Sequence, residues 1–507
     1  MSKTSKSGKA NKKVVSGGVI TIVVAFVLII VCFFTYISGV LPRTLTGISI
    51  TETLPDGSTN TIRNYSVLES NFHFKEVYDS YSQYGMVSED RLDEVVGSEG
   101  KETYRDMLLR ETATQMRTLA LVERAAKQSG FMEMSNAYKL ASKNLETLEF
   151  YAMMYGFQSG TAYLKKLYGT GMSKRAYAEF SSREILVQEY GSYLKQFDPT
   201  IVPTDAEIKA KYEANKNNYT TLDYSSYFIK AETDKDGKVT GMDAAVAAAN
   251  KIANATKDTE SFRNAVLNYV TEKKDTAAIA TFDDGKDPTF TENFSYSLAS
   301  YMDKAVKEYL FGDNKEGDKK VIQTEFGAYV IYISKKSMND DMTVSYRMLT
   351  LTSNPKKNAT DEEKAAALQQ TVAEAQALCP NGMDPLSFYK KVKEKSTDDN
   401  SVLEGGYKAG VTKDYFVSTK DDPIDSAVVE AGKWLFEDGR KQGDVKVIPS
   451  QDGTTVYVFY FESINPAYEI VVKNEIITER FAKWNTDLEA NKPGYEINAG
   501  LIKYLIY

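Results

Sequence analysis

The chain has 507 residues, 42% hydrophobic and 26% charged, with 12 Pro, 2 Cys and 1 His, which excludes collagenous and low-complexity classes and leaves room for about three or four domains. Two cysteines make no disulfide framework, and three Cys and His residues in all are too few for a Cys/His zinc site, so structural zinc, Cys-based redox chemistry and His-dependent triads are set aside. Net charge is −8, yet the first thirteen residues hold Lys3, Lys6, Lys9, Lys12, Lys13 and no acid; the remainder carries 57 basic against 70 acidic residues, or −13, which argues against a nucleic-acid partner.

From Val14 to Pro42 no residue is charged, and Val19–Val40 is a run of 22 nearly all apolar residues. As a helix it spans about 33 Å, the thickness of a bilayer core. A cleaved signal has an apolar region of only about 7–15 residues, so an uncleaved transmembrane helix is expected over 18–41, after a cytoplasmic basic tail at 1–17. Cys32, between Ile30-Val31 and Phe33-Phe34, lacks the small-residue context of a lipid-modified cysteine. The lysines before the span and the single Arg43 after it orient the chain. The expectation is a single-pass protein of the cell membrane with its bulk outside the cytoplasm.

Residues 42–64 read as a linker with a strand or hairpin, from the alternation of Ile48 and Ile50 and the turn Pro55-Asp56-Gly57. Residues 65–200 read as helical. Tyr104, Leu108, Met116, Leu119 and Ala120 recur at helical spacing in Glu102–Ser129, as do Phe180, Val187, Tyr190, Leu194 and Phe197 in Lys174–Phe197, with further helices expected over Asn136–Tyr155 and Ala162–Tyr168. Asp198-Pro199 breaks the last helix, and Thr204 with Glu207 three residues on is the signature of a capping box.

Residues 201–340 and 341–465 read as two copies of one α+β unit. Lys307–Ile322 (KEYLFGDNKEGDKKVI) and Lys433–Ile448 (KWLFEDGRKQGDVKVI) share aromatic-Leu-Phe, Gly-Asp and Val-Ile. Ser225–Ile229 precedes Ser345–Leu349 by about 120 residues, Phe262 precedes Phe388 by 126, and the run from Tyr329 to Tyr332 precedes that from Tyr457 to Tyr460 by 128. Order and offset kept at four places mark a repeat. Asp234-Lys235-Asp236-Gly237 is a hairpin turn rather than a calcium loop. After Pro466, Tyr468–Leu488 is an amphipathic helix and Tyr495–Tyr504 a terminal strand; 466–507 are expected to pack back on the helical region.

The residues Thr204 to Lys216 (TDAEIKAKYEANK) resemble the junction in SurA/PrsA/PpiD-type extracytoplasmic foldases, where a helical chaperone domain passes into a parvulin-type prolyl isomerase domain. Phe326-Gly327-Ala328-Tyr329-Val330-Ile331 resembles the parvulin closing motif. Phe388–Ser396 with Asp398-Asp399, Ser401 and Gly405-Gly406 resembles its central stretch, and Glu102–Phe131 the central helix of the family's N-terminal domain. The resemblance implies an α+β architecture: the transmembrane helix, a helical domain at 65–200 like that of SurA, completed by the C-terminal helix, and two tandem parvulin-like domains. It implies binding of unfolded or newly translocated polypeptides and leaves the protein translocon open as a partner; with too few Cys and His and no phosphate-loop, GxSxG or HExxH motif, no cofactor and no metal are expected.

The family's two catalytic histidines are absent. Tyr227 and Tyr329 occupy the matching positions in the first copy, and Arg347 and Tyr457 in the second. Prolyl isomerisation needs a site that binds the twisted imide better than the planar one, and little of that activity is expected here. His73 is expected in a surface or half-buried role and Cys379 as a small half-buried residue. Client contacts are expected from aromatic and Met clusters of the helical region, Tyr78, Tyr81, Tyr84, Phe150, Tyr151, Met153, Met154 and Tyr155. The alternatives are an active parvulin-type isomerase and an accessory subunit of the secretion machinery that binds no client.

Overall fold

A computed structural model describes residues 38–96, 100–282, 287–490 and 493–506. The fold is mixed α+β with three antiparallel sheets. It divides into two units, one holding the residues up to Tyr193 together with Ala482–Tyr507, the other Leu194–Phe481. The span expected over 18–41 falls, up to residue 37, outside the described residues. Among those that are described, no helix is long and apolar enough to cross a membrane.

The first unit begins with a short helix, α1 (Val40–Thr44), and the hairpin β1 (Thr46–Thr53) and β2 (Thr59–Ser66). Alternation puts Ile48 and Ile50 on one face of β1. Both are fully buried with Tyr65 against α2 (Val67–Gln83) and α3 (Tyr104–Gln128), so β1 anchors the expected linker-and-strand segment in the core while the turn of the hairpin and most of β2 stay outside it. Tyr65 donates its hydroxyl hydrogen to the Met116 carbonyl at 3.0 Å. Where one helix was expected over 136–155 there are two, α4 (Ala137–Lys143) and α5 (Leu145–Met154). Asn144 interrupts them, and its carbonyl accepts from the Thr147 hydroxyl at 2.7 Å, the kind of local side-chain bond that competes with a helix ladder. Then come α6 (Gly160–Tyr168) and α7 (Lys174–Phe197). Leu68 and Phe72 of α2, Leu148 of α5, Leu164 of α6 and Phe180 of α7 share a second core.

The second unit opens on α8 (Asp205–Ala214), whose Thr204–Glu207 capping box is formed: the Thr204 N–H donates to Glu207 Oε2 at 2.8 Å, and the Glu207 N–H to Thr204 Oγ1. The first repeat runs β3 (Thr220–Lys230), α9 (Met242–Ala255), α10 (Thr259–Glu272), α11 (Thr276–Ala280), β4 (Phe290–Ser295), α12 (Lys304–Leu310), β5 (Lys319–Gln323) and β6 (Gly327–Met338). Its sheet order is β4-β3-β6-β5. The second runs β7 (Met342–Thr352), α13 (Asp361–Leu378), α14 (Pro385–Lys395), α15 (Asp399–Glu404), β8 (Tyr407–Val411), α16 (Ser426–Leu435), β9 (Val445–Pro449) and β10 (Thr455–Pro466). Its order is β8-β7-β10-β9, the same topology.

The shared Gly-Asp of the two copies has one job. The Gly317 N–H donates to the Ile333 carbonyl and the Ile333 N–H to the Asp318 carbonyl, at 2.8 and 2.9 Å; Gly443, Phe461 and Asp444 repeat this at 3.1 and 2.9 Å. Both sheets also carry a one-residue bulge in the closing strand, at Ser334 of β6 and Glu462 of β10.

The chain ends with α17 (Ala467–Leu488), β11 (Gly494–Ile497) and α18 (Ala499–Ile506). Val472 and Ile476 of α17 pack with Ile208 of α8 and Tyr219 in the second unit. Only the last turns of α17 belong to the first unit, where Trp484 meets Tyr190 at 6.0 Å. β11 adds to the hairpin as β11-β1-β2. The terminal strand expected over 495–504 stops at Ile497 because the Asn498 side chain accepts from the Leu501 N–H at 3.2 Å and starts a helix.

Candidate functional site

Helix α5 turns only a narrow stripe inward. Leu148 and Ala152, four residues apart and so on one face, are buried. Phe150, Tyr151, Met153, Met154 and Tyr155 are left between 46% and 71% exposed. The helix is held in place by its own Glu149, whose carboxylate accepts from the Gly160 N–H at 2.7 Å and pairs with Lys174. That pairing, then the Gly160 bond, lowers the Glu149 pKa. Phe157 and Tyr155 flank the Tyr163 ring at 5.3 and 5.7 Å, Tyr155 stacked nearly parallel to it. An apolar ledge of aromatic and Met side chains thus stands on a pinned support, and exposed clusters of this kind mark interaction surfaces.

Of the other residues expected to contact clients, Tyr84 is 76% exposed, but Tyr78 is buried in the main core and Tyr81 packs against that core. Tyr138 and Met132 are exposed as well and were not among the residues expected from sequence. The spacing of Leu148 and Ala152 was the available signal: it fixes the inward stripe, and with it which aromatics face out.

The four residues expected from the resemblance at the histidine positions, Tyr227, Tyr329, Arg347 and Tyr457, do not converge. In the first repeat Tyr227 is opposite Val330, and Phe228 is opposite Tyr329, so the two tyrosines lie on opposite faces of the sheet. Tyr227 meets Tyr269 of α10, whereas Tyr329 meets Phe228 on the other side. In the second repeat Tyr457 is opposite Thr350 and Arg347 opposite Tyr460, again on opposite faces. Arg347 is 1% exposed and ion-paired to Glu462 at 2.8 Å. It donates to Gln196 Oε1 at 2.7 Å and lies over the rings of Phe197 and Tyr407. Gly406, at φ +76°, lets the backbone pass beside β7; a Cβ there would sit 2.3 Å from the Met348 carbonyl oxygen.

His73 departs from its expected surface or half-buried role. It is 1% exposed, with Nδ1 3.1 Å from Glu184 Oε1 and 3.6 Å from Glu76 Oε2. Burial opposes its charge, but the hydrogen bonds to Glu184 and Glu76 and their negative field outweigh it and push its pKa up to about 9. Burial, with contact to Glu184, pushes Glu76 up to about 7. No local pattern signals this cluster, because Glu184 is 111 residues from His73. Cys379 is buried rather than half-buried, and burial pushes its thiol up to about 11, so it is unreactive.

No family model matches the chain, and no curated protein matches it. Among solved structures it is similar to a chain from the PEB4 and Cj1289 pair of Campylobacter jejuni, described as SurA-like chaperones. The identity is 17% over 52% of this chain and 78% of that one, with a TM-score of 0.16. It is also similar to foldase protein PrsA from Lactococcus lactis, 14% identical over 71% of this chain and 98% of that one, with a TM-score of 0.19. Superposition at these scores fixes no residue correspondence.

Proposed function

We propose that this chain is an extracytoplasmic chaperone or foldase that holds apolar segments of unfolded polypeptides on the α5 ledge. It is tethered to the membrane by the apolar N-terminal run. The observation that carries the reading is the ledge itself: five aromatic and Met side chains on successive turns, held exposed by a helix that buries only Leu148 and Ala152. Burying such side chains yields about 1–3 kcal/mol each, so binding is weak, broad and dependent on several contacts at once. Weak isomerase activity is supported by the sheet register, which gives neither repeat a pair of polar side chains facing one pocket at the matching positions.

The test is suppression of aggregation of a chemically unfolded client by the full chain. Serine at Phe150, Tyr151, Met153, Met154 and Tyr155 together should remove most of the suppression while leaving the thermal midpoint within a few degrees, because these side chains contribute little to the core. Undiminished suppression would move the client surface elsewhere. In the same experiment, a proline-limited slow refolding phase accelerated by catalytic amounts of the protein would reinstate the isomerase alternative.

A further inference from the structure

His73 and Glu76 are three residues apart on α2 and therefore share a face, and Glu184 reaches them from α7. One ring nitrogen and two carboxylate oxygens lie within 4.8 Å of one another. Bonds of about 2.0–2.2 Å to a common ion, at tetrahedral or octahedral angles, put donor atoms about 2.8–3.6 Å apart. The distances from Nδ1, 3.1 Å to Glu184 and 3.6 Å to Glu76, fall at that spacing.

The charge balance points the same way. Among the described residues neither glutamate ion-pairs with a lysine or arginine: Lys75 is engaged by Asp79 and Arg183 by Glu69 and Glu123. Two carboxylates in contact therefore face a single imidazole. His73 Nε2 has no partner, so every polar contact of this buried ring is made through Nδ1. The glutamates are 37% and 39% exposed, which gives an ion an entry path and leaves room for water ligands. The donor set is one imidazole and two carboxylates with open positions, suited to zinc and its divalent first-row neighbours.

We propose that His73, Glu76 and Glu184 bind a divalent transition-metal ion, with zinc as the best fit, and that the ion ties α2 to α7. A count of Cys and His alone passes over a site completed by carboxylates, which is why zinc was set aside on composition. This site is separate from the α5 ledge, and its test does not depend on client binding.

The full chain, stripped with a chelator, is titrated with Zn2+ and separately with Co2+. About one equivalent of Zn2+ should bind, Co2+ should develop visible absorption, and the thermal midpoint should rise with Zn2+. Glu184→Gln and Glu76→Gln keep side-chain shape at half-exposed positions and should each weaken Zn2+ binding at least about tenfold and lose the cobalt spectrum. No saturable binding, or Zn2+ affinity in both glutamine variants unchanged from the unsubstituted chain, overturns the site.

Discussion

The two repeats of the second unit share a frame and differ in what they do with it. Each places its first and closing strands at the centre of a four-stranded sheet, and each bulges at one residue of the closing strand. Counted through the bulge, β3 and β7 are offset by 122 residues, so Arg347 matches Ser225 and not Tyr227. The bulged residues, Ser334 and Glu462, are offset by 128. In the first copy the bulged Ser334 donates to the Asp223 carbonyl at 2.7 Å, and Ser225 is buried beside it on the next strand. In the second copy the same two places hold the ion pair Glu462–Arg347, and the arginine also grips Gln196 and Phe197 at the end of α7. Turns, caps and a bulge keep the frame, while the buried polar pair beside the bulge is free to specialise. One copy uses that spot for a small local bond and the other to hold Gln196 and Phe197, residues of its own unit.

The widest gap between the copies should appear on removing that pair. Arg347→Met leaves Glu462 inside the protein without its partner and strips two rings of their cation, so the unit should lose about 3 kcal/mol in urea unfolding. Ser225→Ala at the equivalent place removes a buried hydroxyl that has no partner, and should change stability by less than about 1 kcal/mol. Equal losses from the two substitutions would contradict the assignment of different roles. Adding Glu462→Met to Arg347→Met should recover part of the loss, because what hurts is the stranded carboxylate.

This asymmetry was half legible in the sequence. The repeat was readable because its markers are local: Gly-Asp closes a turn, and Phe262 and Phe388 fill the same buried place on α10 and α14. Which residues face each other was not readable. A strand changes face with every residue, so one bulged residue in β6 was enough to put Tyr227 and Tyr329 on opposite faces, and matching Ser225–Ile229 to Ser345–Leu349 at 120 residues instead of the 122 that the pairing shows misplaced Arg347 by two. In the first unit the exposed run at 150–155 was visible as composition. That Tyr78 and Tyr81 belong to the core was not, since it depends on Ile48, Ile50 and the C-terminal segment, which come from far along the chain. The hairpin and β11 illustrate the same point, for no local pattern says that residues near 496 pair with residues near 49.

A smaller effect should be the same in both copies. Asp303 caps α12 by accepting from the Ala305 N–H at 2.9 Å, and Asp425 caps α16 by accepting from the Ala427 N–H at 2.8 Å. The caps are themselves 122 residues apart, so they belong to the frame. Alanine at either position should cost about 1 kcal/mol of unfolding free energy. A loss confined to one copy would mean that the frame, too, has diverged.

The smallest effect is a titration, and it tests the frame without changing a residue. Asp258 caps α10 and Asp384 caps α14, accepting from the N–H groups of Ser261 and Ser387 at 2.8 and 2.9 Å. Hydrogen bonds from those serines lower both carboxyl pKa values from the ordinary 3.8. A group whose pKa is lower folded than unfolded stabilises the fold above its unfolded pKa and loses that contribution as pH falls through the folded one. Both caps therefore contribute fully above about pH 4 and fade together in stronger acid. Carboxyl resonances followed by NMR should give two midpoints, each below 3.8. Both carboxylates are open to solvent, so the stability change should be slight and the midpoints are the sharper readout. A midpoint at or above the ordinary value in either helix would show that its cap is not formed in solution, and would remove that cap from the frame the two repeats share.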